Sequence, residues 1–279
     1  MVDAPLLRGR CACHRRPIPR RRAMQPSSNT TDNAAQQPGR VVSWLLEQAT
    51  CEAEVQYIEA VEGNLRLVTF SSDDIRDMVW SPGDMVQLIL LGSTLLGEWE
   101  LRSYTPFAVD PEQGTMQILA AIHGQALGSD WFASAQIGTR CRFVSPKHPL
   151  SLSKPQRPMV FFGDETSFGT AIATRQTTQG YNGAEFIFEV GSEGDARAAL
   201  SRFGLTNAHF ISRNADDSHL DALERSVLEA SHRAVHVILT GKATSIQRLN
   251  KALRSAGLSR RQLTNVPYWS PGKKGLKGV

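Results

Sequence analysis

Residues 160–169 read Val-Phe-Phe-Gly-Asp-Glu-Thr-Ser-Phe-Gly, and this stretch decides the fold of the second half of the chain. The apolar run predicts a buried strand, the glycine a tight turn, and the residues after Thr166 a helix. A unit of this kind opens a doubly wound α/β domain, where backbone N–H groups and a helix N-terminus can bind phosphate. The turn lacks Gly-x-Gly-x-x-Gly, because Asp164 and Glu165 replace small residues. The alternative is an acidic first turn that only complements the helix dipole.

The segments after this turn alternate between strand and helix patterns. Apolar strands are predicted at residues 184–190, 209–212 and 234–240, and helices at residues 166–178, 195–203 and 219–230. Ile246, Leu249 and Leu253 mark one more amphipathic helix. Such alternation predicts a parallel sheet with helices on both faces. We expect this domain to span residues 154–279, after a connection at Lys154-Pro155-Gln156-Arg157-Pro158.

The preceding residues, 41–153, have the pattern of short strands separated by turns. Strands are predicted at residues 52–60, 65–70, 85–91, 99–106, 115–123 and 141–144, with one helix that begins at Ser129-Asp130. This spacing favours an antiparallel barrel or sandwich. The predicted fold class is therefore β plus α/β: an antiparallel β-barrel followed by a doubly wound parallel-sheet domain that binds a nucleotide.

Arg102-Ser103-Tyr104-Thr105-Pro106 ends one predicted strand of the barrel. On an extended chain Arg102 and Tyr104 share one face, and Thr105 points to the other. A guanidinium for phosphate, a ring for stacking and a hydroxyl for hydrogen bonding suit one planar, phosphorylated ligand. The alternative is an ordinary strand end that carries a surface arginine.

Charge is unevenly distributed along the 279 residues. Residues 1–40 carry eight arginines and two acids, whereas the remaining residues carry 23 basic and 25 acidic side chains. Because the body of the protein is nearly neutral, nucleic acid is not an expected partner. We expect residues 1–40 to be a disordered basic tail, either an organelle transit peptide or a segment upstream of a true start at Met24.

Cysteine usage and hydropathy exclude further classes of protein. Four cysteines do not form a disulfide framework in a chain of this length, and Cys51 and Cys141 are expected to be buried thiols. Cys11-Ala-Cys13-His14 lacks a second ligand pair, so no metal site is expected. No run approaches the roughly 20 apolar residues of a membrane span, and the cytoplasm is the expected compartment.

Four motifs together resemble a known family. They are Arg102-x-Tyr104-Thr105, His123-Gly124 with Trp131, Gly163-Asp164-Glu165-Thr166, and Tyr268-Trp269-x-x-Gly272-Lys273. In order and spacing they are similar to the siderophore-interacting proteins, which are flavin-dependent ferric-chelate reductases of the ferredoxin–NADP reductase superfamily. The resemblance runs from about residue 50 to residue 276.

The resemblance implies FAD as the cofactor and assigns residues to it. Arg102 would hold an FAD phosphate, Tyr104 would stack on the isoalloxazine, and the Thr105 hydroxyl would reach its reactive N5 edge, which makes Tyr104 and Thr105 the catalytic candidates. The other residues implied to bind FAD or the nicotinamide nucleotide are Ser103, His123, Ser129, Trp131, Gly163, Asp164, Glu165, Thr166, Ser167, Ser212, Arg213 and Trp269.

The nucleotide expected from the resemblance is NADPH, with NADH as the alternative. A Ser-Arg pair at the end of the third α/β strand binds the 2′-phosphate of NADP in the superfamily, and here Ser212-Arg213 stands there. Arginine suits a bidentate phosphate contact. Asp216 and Asp217 follow closely, and their negative charges weaken the argument for a phosphate at this position.

The implied substrate is a ferric siderophore or another ferric chelate, whose iron needs no protein ligands. Lys273 and Lys274, close to Trp269, are candidates for steering an anionic chelate; a solvated C-terminus is the alternative. Two other functions fit the sequence: a reductase whose electron acceptor is a protein such as ferredoxin, and a flavin- or nucleotide-binding module without turnover. The chain departs from the family shortly after Thr105, where a further arginine is frequent but Pro106-Phe107-Ala108-Val109 follows here. It departs again at Gly241-Lys242, where Gly-Glu is common.

Overall fold

The computed structural model describes residues 50–91, 99–124, 126–147, 150, 152, 158–178 and 183–272. Within them, seven antiparallel strands form the first sheet, which curls into a half-barrel. The strands are β1 (Cys51–Ala60), β2 (Leu65–Ser71), β3 (Met85–Leu91), β4 (Trp99–Tyr104), β5 (Ala108–Asp110), β6 (Thr115–Ala121) and β7 (Arg140–Lys147). Their order is β4-β3-β7-β1-β2-β6-β5, so β4 lies at an edge. Two helices accompany them, α1 (Asp73–Arg76) and α2 (Leu127–Ser134).

The half-barrel encloses a core built from alternate residues of its strands. Val86, Leu88 and Leu90 of β3 are buried in the same cluster as Met116 and Ile118 of β6. This period of two follows from the pleat, which sends successive side chains to opposite faces. The core cluster also contains Cys51 and Cys141, which are buried as predicted.

The second sheet has five parallel strands in the order β10-β9-β8-β11-β12. They are β8 (Met159–Gly163), β9 (Ala184–Val190), β10 (Ala208–Ser212), β11 (His236–Lys242) and β12 (Leu263–Trp269). The helices are α3 (Phe168–Thr177), α4 (Glu193–Arg202), α5 (Leu220–Ser231) and α6 (Ala243–Ser255). An order in which the first strand is central and the chain reverses beside it defines a doubly wound sheet.

Helices cover both faces of this sheet. Phe161 and Phe188 pack with α3 and α4 in one cluster, whereas Val160 and Phe162 pack with α5 and α6 in another. Adjacent residues of β8 therefore serve opposite faces, and a strand buried on both sides reads as a continuous apolar run. The predicted fold class is confirmed. None of the helices in the described ranges is both long and apolar enough to cross a membrane.

Strand β5 and helix α1 were not predicted, and three further differences from the predicted elements have a local physical reason. Helix α2 begins at Leu127 rather than at Ser129, because the Ser129 hydroxyl bonds to the backbone of His123 instead of capping the helix. Strand β4 ends at Tyr104, before the proline that cannot donate to a ladder. Strand β12 was not predicted; it is an edge strand, where Pro267 is tolerated. The proposed domain limits, 40/41 and 153/154, lie outside the described residues and stay predictions.

Apolar and charged contacts join the two sheets. Phe107, after β4, packs edge-on against Phe203, after α4, with ring centroids 5.2 Å apart. Arg202 of α4 donates two hydrogen bonds, of 2.7 and 2.6 Å, to the carboxylate of Glu59 on β1. These contacts fix how the carboxyl edge of the parallel sheet faces the half-barrel.

Candidate functional site

A cleft of about 390 Å³ lies between the half-barrel and the carboxyl edge of the parallel sheet. The half-barrel contributes the β1–β2 turn and the end of β6, and the parallel sheet contributes the turns that follow β8, β9 and β10. Five of the sequence-assigned cofactor residues line it: His123, Glu165, Thr166, Arg213 and Trp269. The structure therefore brings together residues that are up to 146 positions apart in the chain.

The arginine–tyrosine motif lies at the end of edge strand β4, as predicted. Gly128 of α2 faces both side chains: an added Cβ there would lie 2.3 Å from the Tyr104 hydroxyl and 3.5 Å from Cγ of Arg102. Arg102 and Tyr104 thus share one face of the strand. Arg102 forms an ion pair with Glu100 and also donates to the carbonyl of Leu101.

Tyr104 packs its ring against Phe132 of α2, with centroids 4.7 Å apart. Burial raises the pKa of Tyr104 well above its ordinary value, with the nearby Arg102 charge opposing, so its hydroxyl is protonated at neutral pH. Ser103 points to the other side of the strand and accepts a 3.3 Å hydrogen bond from the Gln87 side chain.

The start of helix α2 lies next to Arg102. Its N-cap is Ala126, and no side chain caps the helix. Uncapped N–H groups at a helix start attract anions, and a guanidinium beside them adds charge and donors. The close packing at Gly128 keeps this helix start beside β4. This donor set fits the pyrophosphate of FAD.

Thr105 is buried at the boundary between the sheets, and its hydroxyl interacts with the hydroxyl of Tyr268 on β12. Tyr268 also shares a 2.7 Å hydrogen bond with Thr170 of α3. Burial raises the pKa of Tyr268, and the hydrogen bonds from Thr170 and Thr105 oppose this increase. Three hydroxyls, from the segment after β4, from β12 and from α3, therefore meet where the half-barrel contacts the parallel sheet.

The turn after β8 is held by the buried carboxylate of Asp164. Its Oδ1 accepts a 2.9 Å hydrogen bond from the Thr166 backbone, and its Oδ2 accepts a 2.7 Å hydrogen bond from the Trp269 indole. Gly163 and Gly241 are both required by close approach, because an added Cβ would lie 2.4 Å from Ser167 and 2.6 Å from Asp164, respectively.

Burial raises the pKa of Asp164 from its ordinary value of 3.8 to about 6. Hydrogen bonds from Thr166 and Trp269 oppose the increase, as does the charge of Arg213, while Glu165 adds to it. The carboxylate therefore changes its protonation in a range where most aspartates stay ionised.

His123 and Trp269, which both line the cleft, pack their rings against each other with centroids 5.1 Å apart. The backbone of His123 both donates to and accepts from the Ser129 hydroxyl, at 3.1 and 3.0 Å. Burial lowers the pKa of His123; the Glu165 charge opposes this and the Arg213 charge adds to it. The imidazole is consequently neutral at pH 7.

Arg213 lies between two carboxylates. Its Nη2 donates to Glu165 at 2.9 Å, and its Nε donates to Glu189 at 3.3 Å. Glu189 is fully buried and also accepts from Ser245 at 2.6 Å and from Nε2 of His219 at 3.0 Å. The backbone of Asn214 donates to Nδ1 of His219, so Nε2 carries the proton. Although burial raises the pKa of Glu189, these partners lower it overall.

Other assigned residues lie away from the cleft lining. Ser212 is exposed and donates to Glu193 at 2.9 Å. Trp131 stacks on Phe70 in the half-barrel core, with centroids 6.1 Å apart, which is a packing position. Lys273 and Lys274 lie outside the described residues, and the roles of all these residues stay predictions.

Sequence reasoning did not assign Tyr268, Gly128, Glu189 or His219 to the site. The sequence signal available for Tyr268 was its position in the Tyr268-Trp269 motif. Glu189 lies one residue before the end of the second parallel strand, close to the position where doubly wound domains place an acid. No sequence signal indicated Gly128 or His219, because their importance depends on which elements pack together.

We predict that Asp164→Asn removes a pH dependence of stability. Because the folded pKa lies above the unfolded one, the native state binds the extra proton, and the wild-type free energy of unfolding falls as pH rises from about 4 to about 6, by up to about 3 kcal/mol from this group. Urea unfolding at a series of pH values measures it. Trp269→Phe removes a hydrogen-bond donor to the Asp164 carboxylate, so it raises the pKa of Asp164 further. The inflection in the curve of unfolding free energy against pH therefore moves to higher pH. Parallel profiles for wild type and Asp164→Asn would contradict the assignment.

Two family models match the chain. The model described as "Siderophore-interacting protein" matches residues 156–272, and the one described as "Siderophore-interacting FAD-binding domain" matches residues 98–150. No curated protein sequence matches.

Solved structures share the fold. The siderophore-interacting protein SipS from Aeromonas hydrophila is 15% identical, with a TM-score of 0.68 over 81% of this chain and 93% of that one. A siderophore utilization protein from T. fusca is 21% identical, with a TM-score of 0.65 over 81% and 95%. The flavohemoglobin from Malassezia yamatoensis, with bound FAD and heme, is 15% identical, with a TM-score of 0.63 over 79% and 60%.

At these identities the structural likeness establishes the fold, an antiparallel half-barrel followed by a parallel sheet with helices. The matched family models cover both halves of this fold. The chain therefore belongs to the siderophore-interacting protein family.

Proposed function

We propose that the chain is an FAD-dependent reductase that takes electrons from a nicotinamide nucleotide and delivers them to ferric iron in a siderophore or another chelate, releasing Fe(II) in the cytoplasm. One observation carries this proposal: the strand end with Arg102 and Tyr104 packs beside helix α2, which has no side-chain cap, and Ser129 of this helix binds the backbone of His123 in the cleft lining. The family membership supports the same activity.

Arg102 and the start of α2 would hold the FAD pyrophosphate, and Tyr104 would contact the isoalloxazine. When bound, FAD supplies the step that side chains cannot: it accepts a hydride and passes electrons singly to iron. The protein supplies binding, orientation and exclusion of water.

The hydroxyls of Thr105, Tyr268 and Thr170 form the polar part of the reaction site. Tyr268 keeps its proton at neutral pH, since burial raises its pKa, and it orients the Thr105 hydroxyl. We assign Thr105 to the contact with the reactive flavin edge. Its position is fixed by both sheets, so the contact depends on their correct assembly.

His123 and Trp269 form the aromatic walls of the cleft, and Asp164 orients Trp269 through the indole N–H. Thr166 and Arg213 line the side formed by the parallel sheet, where the nicotinamide nucleotide would bind. Ser167 would support this turn through its bond to the Asp164 backbone, at 3.4 Å.

Iron is the substrate in this proposal and stays in its chelate. Among the residues the structure describes, no group of three His, Cys, Asp or Glu side chains is placed to hold a metal ion. Lys273 and Lys274 follow the Trp269 strand in sequence and would attract an anionic chelate to the cleft.

The proposal predicts that the purified protein is yellow and is bleached by NADH or NADPH without oxygen. Absorbance spectra during anaerobic titration measure this directly. Adding a ferric chelate to the reduced protein should then restore the absorbance spectrum of the oxidised flavin. A colourless protein that does not take up added FAD would overturn the flavin assignment, and a yellow protein that no nicotinamide nucleotide bleaches would indicate a flavin-binding module without turnover.

We predict that Gly128→Ala weakens FAD binding about tenfold, because the added methyl group displaces the Tyr104 hydroxyl and shifts α2 from Arg102. Flavin fluorescence during reconstitution of the apoprotein measures the affinity. Gly194→Ala is the matched control, since an added Cβ there meets nothing within 4 Å. Equal affinities for the two variants would exclude a cofactor role for this helix–strand contact.

A further inference from the structure

The carboxylate of Glu165 occupies a position built for an anion. Its Oε1 accepts a 2.6 Å hydrogen bond from the Gly191 backbone, and its Oε2 accepts a 2.9 Å hydrogen bond from Arg213. Gly191 directly precedes Ser192, the N-cap of α4. A backbone N–H near a helix start and a guanidinium are the donors that proteins use for phosphate. Here both are directed to a carboxylate of the chain itself.

Arg213 is held in this position from its other side. Its Nε contacts the buried carboxylate of Glu189, and its Nη2 also donates to the Glu189 carbonyl at 2.9 Å. Glu189 is itself fixed by Ser245 and His219. Because two carboxylates share one guanidinium, Arg213 retains little free charge for an incoming phosphate.

The charges of the cleft lining agree with this arrangement. Among the described residues that line it, Arg213 is the one Lys or Arg side chain, whereas Glu62, Glu165 and Asp195 are acids. A 2′-phosphate that approached Arg213 would meet the Glu165 carboxylate, and like charges repel. A ribose hydroxyl, in contrast, can donate to a carboxylate, which is how acidic residues in doubly wound domains accept NAD.

We infer that Glu165 is a specificity-determining residue: its carboxylate fills the anion position between Arg213 and Gly191, so the protein takes a dinucleotide with a free 2′-hydroxyl, NADH, in preference to NADPH. This inference rests on the proposed use of a nicotinamide nucleotide. It selects NADH from the two nucleotides that the sequence leaves open.

Direct binding of two nucleotide fragments tests the inference without turnover. Isothermal titration calorimetry of the full chain compares adenosine 5′-monophosphate with adenosine 2′,5′-bisphosphate. Wild type should bind the monophosphate at least as tightly as the bisphosphate. Glu165→Gln keeps the side-chain size but frees Arg213, and should shift the affinity ratio about tenfold or more toward the bisphosphate.

Two further variants identify the cause of such a shift. Glu62→Gln removes a negative charge from the same cleft without touching Arg213, and should leave the ratio near that of wild type. Adding Arg213→Gln to Glu165→Gln should abolish the gain. Circular dichroism and thermal unfolding establish that each variant is folded, and Glu165→Asp, with a retracted carboxylate, provides a second route to a freed Arg213.

The outcomes separate this inference from the proposed function. If both fragments bind but wild type prefers the bisphosphate, or if neither Glu165→Gln nor Glu165→Asp changes the ratio, the role of Glu165 is refuted and nucleotide use stands. If neither fragment binds to any folded variant, and NADH and NADPH also fail to bind, nucleotide use itself is refuted together with the inference.

Discussion

The contacts at the cleft depend on one buried carboxylate, that of Asp164. A buried acid is costly unless its oxygens accept hydrogen bonds, and here the Thr166 backbone and the Trp269 indole satisfy them. This requirement joins the first turn of the parallel sheet to its last strand. It also explains Gly241, whose positive φ of 93° and missing side chain let β11 pass beside the carboxylate.

The last strand, β12, then connects the two halves of the protein. Adjacent residues of a strand point to opposite faces, so Tyr268 reaches Thr105 and Thr170 while Trp269 reaches Asp164 and His123. The half-barrel residues in these contacts, Thr105 and His123, lie just after the ends of β4 and β6. The cleft is therefore not a gap left between two independent units, because its walls are held in place from both sheets.

Much of the fold followed from periodicity in the sequence. Alternation in the half-barrel and the continuous apolar runs of the parallel strands predicted both sheets, and the position of Arg102 relative to Tyr104 predicted their shared face. Strand β12 was missed because its only clear signals are a proline and two aromatic residues. The helix start at Ser129 was misplaced because a serine hydroxyl can bond to a distant backbone as well as cap its own helix.

The partners of the site residues were harder to predict than their positions. Sequence indicates that Arg213 suits a phosphate, but not that two carboxylates bind it, Glu165 from the turn after β8 and Glu189 from β9. Similarly, the sequence does not show that Trp131, a predicted cofactor contact, also stacks on Phe70 of the half-barrel core. Such outcomes depend on distances between elements that are far apart in the chain, and residue type alone does not encode them.

The central claim is that this site passes electrons from a flavin to chelated ferric iron. Stopped-flow mixing of the anaerobically reduced, FAD-loaded protein with a panel of ferric siderophores and an oxidised ferredoxin tests it, with a ferrous-specific chelator present to record the released iron. The account predicts that at least one ferric siderophore reoxidises the flavin faster than ferredoxin does, with one Fe(II) for each electron transferred. Rapid reoxidation by ferredoxin alone, without Fe(II) from any chelate, would contradict it.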